Sequence, residues 1–166
     1  MKSILNLFAA LFAFAIYTSS AVAADEKHDH DHDHDHAKII AGPNGGRVLI
    51  SVEPHLEFLV MKDRRVRITA VSHDDKPKAI ALDEQSVKVI AGKRRAPTRL
   101  KFIREENSLI SDGPLPDGMN FPVVVQIKVD ADSRTVIDKF QLNLQDCPTC
   151  DYKEYACVCD HHAHDH

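Results

Sequence analysis

From residue 39 to residue 144 the apolar residues of this chain come in short runs, several of them strictly alternating with polar ones, and turn-forming residues separate the runs. Runs of this length, rich in Val, Ile and Phe, predict strands. The pattern places them at 47–52, 55–62, 65–72, 87–91, 99–104, 108–111, 121–129 and 135–144, which makes seven or eight strands. In 65–72, Val66, Ile68 and Ala70 face one way while Arg65, Arg67 and Thr69 face the other. One apolar and one polar face predict a half-buried antiparallel strand. Asn44-Gly45-Gly46, Asp63-Arg64, Asp74-Asp75-Lys76-Pro77, Gly113 to Gly118 and Asp130-Ala131-Asp132 supply the turns, and Pro54 interrupts the chain between the first two strands.

Short strands in this number within about 105 residues close most readily as two packed sheets. The expected fold is therefore all-β, a single β-sandwich of immunoglobulin-like architecture over 39–145, with a small barrel as the second solution. There is no Trp and no Cys before Cys147, so the disulfide and buried Trp of antibody domains are absent. No useful helical period follows residue 23, which argues against a helical bundle or a doubly wound α/β enzyme.

The first residues read differently. Met1-Lys2-Ser3 gives a positive start, 4–17 an apolar run, and Ala21-Val22-Ala23 a small-residue cleavage pattern, which together predict a signal peptide over 1–23. The alternative, a membrane anchor, needs about 20 apolar residues, and polar Thr18-Ser19-Ser20 ends the run too soon. The expected product is exported, to a bacterial periplasm or beyond, with no stable membrane insertion after cleavage. Loss of Lys2 with the leader leaves 20 Lys and Arg against 25 Asp and Glu. That balance is not the footprint of a nucleic-acid binder.

Histidine changes the picture most. Of eleven in the chain, five lie between His28 and His36 and four between His161 and His166. Residues 24–38 contain an Asp-His alternation with nothing apolar to bury, so a disordered tract is expected there. In an extended chain alternate residues project to one side, which aligns His28, His30, His32, His34 and His36 opposite Asp29, Asp31, Asp33 and Asp35. Neutral imidazoles suit Zn2+, Cu, Ni or Co, and the carboxylates offset the charge of the ion. A plain acidic linker would need no histidine, and a cloning tag would not alternate with Asp.

All four cysteines fall in the last 20 residues: Cys147-Pro148-Thr149-Cys150 and Cys157-Val158-Cys159, followed by His161, His162, His164 and His166. A C-x2-C pair with a C-x-C pair and histidines can complete a zinc or copper site. In an oxidising compartment the same four can form two disulfides, by three possible pairings. Spacing alone does not choose between them. A redox-active C-x-x-C is disfavoured because no βαβ context surrounds it. Residues 146–166 are thus expected to be a metal-binding tail.

Between the ends the chemistry is thin. The chain has no G-x-S-x-G, P-loop or H-E-x-x-H motif, and an enzyme is not expected. His55 and Glu57 share a face of one strand, which would suit a metal pair but is read as ordinary surface; His73, at a strand end, is read as solvated. Lys93-Arg94-Arg95 with Arg99, Lys101 and Arg104 lacks interleaved aromatics and is read as a solvated basic loop.

The segment Gly42-Pro43-Asn44-Gly45-Gly46-Arg47-Val48-Leu49, preceded by the His-rich tract and followed by Glu57-Phe58-Leu59-Val60, resembles the stretch near the mature N-terminus of periplasmic adaptor subunits of heavy-metal exporters of the resistance-nodulation-division class. The resemblance implies a periplasmic protein working with divalent-metal or copper efflux, with an adaptor or transporter as its partner. Those adaptors have a long helical hairpin and a lipoyl-like domain, for which this chain has neither room nor pattern. The expectation is an accessory metal binder, a buffer or metallochaperone whose flexible tails capture ions. The alternative is an envelope interaction module with a disulfide-stapled C-terminus and incidental metal binding.

Overall fold

The computed structural model describes residues 39–159. The leader expected at 1–23, the tract 24–38 with His28, His30, His32, His34 and His36, and the terminal His161, His162, His164 and His166 lie outside the described residues.

Among the described residues nine strands form, in chain order: β1 (Arg47–Leu49), β2 (His55–Val60), β3 (Val66–Val71), β4 (Ser86–Ala91), β5 (Thr98–Leu100), β6 (Phe102–Glu105), β7 (Ser108–Ser111), β8 (Asn120–Lys128) and β9 (Val136–Asn143). They make two antiparallel sheets, one ordered β1-β2-β3-β7-β6 and the other β5-β4-β8-β9. This is the expected all-β sandwich. Inward residues from both sheets share one core, among them Leu56, Phe58 and Ile68 from the first and Val89, Val125 and Leu142 from the second. β8 shows why the pattern was legible: Phe121, Val123, Val125 and Ile127 are buried while the residues between them are exposed or half-buried. The β2–β3 connection is the tight turn expected at Asp63-Arg64, with Arg64 in the left-handed region (φ 66°) and Met61 N–H donating to the Arg65 carbonyl.

One expected strand is two. The run 99–104 divides at Lys101, so that β5 pairs with β4 in one sheet and β6 pairs with β7 in the other. Leu100 is buried and Phe102 partly so, each packed on the core from its own sheet, while Lys101 is exposed at the crossing. Asp112 pins the corner, its carboxylate accepting from Lys101 N–H (3.0 Å) and its own N–H donating to the Lys101 carbonyl (2.8 Å). Alternation survives the crossing because both layers face the same interior, so the change of partner leaves no mark on the pattern.

Residues 146–159, assigned from spacing to a tail, fold against the sandwich. A bridge between Asp146 and Lys153 closes a loop, and a 3-10 turn, η1 (Glu154–Ala156), follows. Tyr155 is only 3 % exposed and lies edge-on to Phe58, centroids 6.3 Å apart at 80°. Its hydroxyl accepts from Val60 N–H at 3.1 Å. Burial holds that hydroxyl above its ordinary pKa, with the nearby Glu57 charge acting the same way. An aromatic residue with one partnered polar atom is well suited to anchor such a segment. No helix among the described residues is long and apolar enough to cross a membrane.

Candidate metal centres

The loop closed by Asp146 and Lys153 carries Cys147 and Cys150, and the turn that seats Tyr155 delivers Cys157 and Cys159 back to them. Cys147 N–H donates to the Tyr152 carbonyl (3.0 Å) and Glu154 N–H to the Gln145 carbonyl (2.9 Å), while Lys153 Nζ lies 2.5 Å from Asp146 Oδ1. The four sulfurs all lie within 4.8 Å of one another. Cys157 Sγ is 3.3 Å from Cys147 Sγ and 3.6 Å from Cys150 Sγ. A tetrahedral Zn–S4 centre with bonds of about 2.3 Å has sulfurs about 3.8 Å apart. The printed spacings of 3.3 and 3.6 Å lie close to that value, so the four sulfurs could hold a metal ion.

The surroundings differ from sulfur to sulfur. Thr149 Oγ1 is 3.2 Å from Cys147 Sγ and 3.1 Å from Cys159 Sγ; its single proton can go to only one of them at a time. The Thr149 hydroxyl, then the Thr149 backbone N–H, draws the Cys147 thiol down to about 6 against the opposing effect of burial. At Cys150 the Tyr152 backbone N–H pulls downward, but burial and the thiols of Cys159 and Cys147 outweigh it and the net shift is upward. Burial pushes Cys157 far up, although Cys159 N–H donates to its sulfur at 3.3 Å. N–H donors aimed at sulfur favour the thiolate form that a metal requires.

The pair read from sequence as surface, His55 and Glu57, is corrected by the structure. His55 is 6 % exposed and Glu57 1 %. Glu57 is occupied: its Oε1 accepts from Asn44 N–H (2.9 Å) and Gly46 N–H (2.8 Å), and its Oε2 from Asn44 Nδ2 (2.7 Å). The Gly42 to Gly46 loop thus wraps a buried carboxylate, and a Cβ on Gly46 would sit 2.5 Å from the Phe58 carbonyl oxygen. Three donors satisfy the charge, as burial requires. Glu57 is a structural residue and does not join His55.

The neighbours of His55 are Glu53 and His73. The two rings lie with centroids 4.5 Å apart, and Glu53 Oε1 is 2.7 Å from His73 Nδ1 and 3.5 Å from His55 Nδ1. Their ligand atoms also fall within 4.8 Å of one another. His73 is largely solvated, as its position predicted, with a side chain 76 % exposed. Sequence reasoning missed Glu53; its signal lay in strand register, which only the pairing of His55 with Val71 reveals. Thr149 was also missed, though its place inside C-x2-C marks it as near the sulfurs. No protein-family model, curated protein or solved structure matches this chain.

Proposed function

We propose that this is an exported transition-metal-binding protein, a buffer or metallochaperone-like accessory to heavy-metal homeostasis or efflux, and not an enzyme. Its ordered centre is the cage of Cys147, Cys150, Cys157 and Cys159; His28, His30, His32, His34, His36, His161, His162, His164 and His166 act as additional capture ligands. The observation that carries the reading is the convergence of four cysteine sulfurs within 4.8 Å on a segment anchored to the core. Thiolates accept Zn2+ and Cu+. The leader, the His-Asp tract and the resemblance to efflux-adaptor segments support export and a role beside a metal transporter. Several weak sites on the same chain as a stronger one raise retention by effective concentration.

Native mass spectrometry of the mature chain tests this. With reductant, one Zn2+ or Cu+ should stay bound under mild chelation and be lost when Cys147 and Cys150 are replaced by Ser. Retention of the same tightly held ion by that variant, or a chain whose four sulfurs stay paired as disulfides under mild reductant, would overturn the thiolate centre.

A further inference from the structure

The group formed by Glu53, His55 and His73 has a different chemistry from the cysteine cage and a different setting. The antiparallel register that pairs His55 with Val71 brings Glu53 and His73 face to face two residues beyond it, just outside the sheet. His55 Nδ1 lies 2.8 Å from the Val52 carbonyl oxygen, buried. A carbonyl can only accept, so Nδ1 carries a proton and Nε2 is the nitrogen left for a metal. A histidine whose other nitrogen donates to a backbone carbonyl is held in the tautomer and orientation of a metal ligand.

We propose that Glu53, His55 and His73 form a second metal site, of imidazole and carboxylate ligands, that takes a borderline divalent ion such as Zn2+, Cu2+ or Ni2+. Bonds of about 2.0–2.2 Å place ligand atoms of a tetrahedral ion about 3.3–3.6 Å apart. The three residues' ligand atoms lie within 4.8 Å of one another; to complete the set, the 2.7 Å Glu53–His73 pair would widen and both side chains would turn toward His55 Nε2. Both side chains are largely exposed, 63 % and 76 %, while His55 is buried and held by the Val52 carbonyl. Three protein ligands leave a coordination position open. His55 and His73 line an open cleft of about 660 Å3, together with Asp74, Asp75, Tyr152 and Val158. Asp74 and Asp75 add negative charge to that wall and Lys76 opposes it. Two imidazoles make the site unlike the all-oxygen cages of Ca2+ and Mg2+, and the lack of thiolate leaves Cu+ to the cysteines. One buried and two exposed ligands suit an ion that exchanges. Val158, between Cys157 and Cys159 in the chain, lines the same cleft.

The test is a Zn2+ titration of the full mature chain followed at the ring nitrogens of His55 and His73 by NMR. Both rings should shift and saturate together. His73→Ala, at an exposed position that leaves the fold intact, should raise the Zn2+ needed to half-shift His55 by about tenfold or more, and Glu53→Gln should raise it in the same direction. A His55 ring that stays unmoved in excess Zn2+, or that shifts with an unchanged midpoint in His73→Ala, overturns the proposal. The cysteine cage is read separately, by sulfur-to-cobalt charge-transfer absorption on adding Co2+. A chain in which His55 shifts without that absorption keeps this site and loses the cage; the reverse keeps the cage and loses this site.

Discussion

Replacing Tyr155 tests whether the cysteine segment belongs to the fold or merely follows it. The side chain is 3 % exposed, meets Phe58 edge to face at 6.3 Å and accepts a hydrogen bond from Val60 N–H at 3.1 Å. Truncating a buried aromatic to Ala costs about 3–5 kcal/mol, transfer and cavity together. Tyr155→Phe keeps the ring and loses only the acceptor, about 1 kcal/mol. Against a typical domain stability of about 5–15 kcal/mol, the first change removes a large share and the second little. Urea unfolding of the reduced, chelator-treated protein reads both as shifts of midpoint at constant slope. Adding Zn2+ then reads the coupling: if the cage opens only with the sandwich, about a thousandfold excess over Kd adds about 4 kcal/mol to the wild type. A Tyr155→Ala cost below about 1 kcal/mol, less than a third of the smallest expected cavity penalty, would refute the anchoring argument. So would Zn2+ stabilisation that leaves the sandwich midpoint untouched, because the cage would then open by itself.

Three further outcomes follow from the geometry. Glu57→Ala orphans three donors and should cost about 3–5 kcal/mol, as for a broken buried charge network, whereas Glu57→Gln keeps one oxygen and should cost less; equal midpoints for the two variants would contradict the account of the loop. Gly46→Ala drives a Cβ to 2.5 Å from a backbone oxygen, while Gly45→Ala at φ 85° meets only the Tyr152 ring at 3.9 Å, so Gly45→Ala should cost about 1–2 kcal/mol for the left-handed conformation and Gly46→Ala more, with the reverse ranking in thermal melts counting against the close approach. The Arg65 side chain and then its backbone N–H hold the exposed Asp63 carboxyl below its ordinary range, so its contribution is present above the unfolded value near about 4 and fades as pH falls through the lower folded one; the stability gap between wild type and Asp63→Asn should shrink on acidification, and a gap that widens would refute it.

The sequence by itself determined most of the strands, most of the turns and the clustering of the four cysteines. Alternation with period two is a property of the extended backbone, so Val66-Ile68-Ala70 or Phe121-Val123-Val125-Ile127 declares a buried face before any partner is known. C-x2-C and C-x-C likewise name four sulfurs within one short stretch. Tertiary structure decided what depends on partners distant in the chain. Leu100 and Phe102 belong to different sheets although they alternate as one strand, because both layers share an interior. Tyr155 turned a tail into part of the core through Phe58 and Val60, nearly a hundred residues earlier. Glu57, read as surface, is buried because the loop with Asn44 and Gly46 returns three donors to it. Glu53 and His73 meet only because β2 and β3 pair in one register. Local pattern follows from the geometry of a single chain, whereas these contacts follow from which surfaces pack together, and packing is settled by the whole core at once.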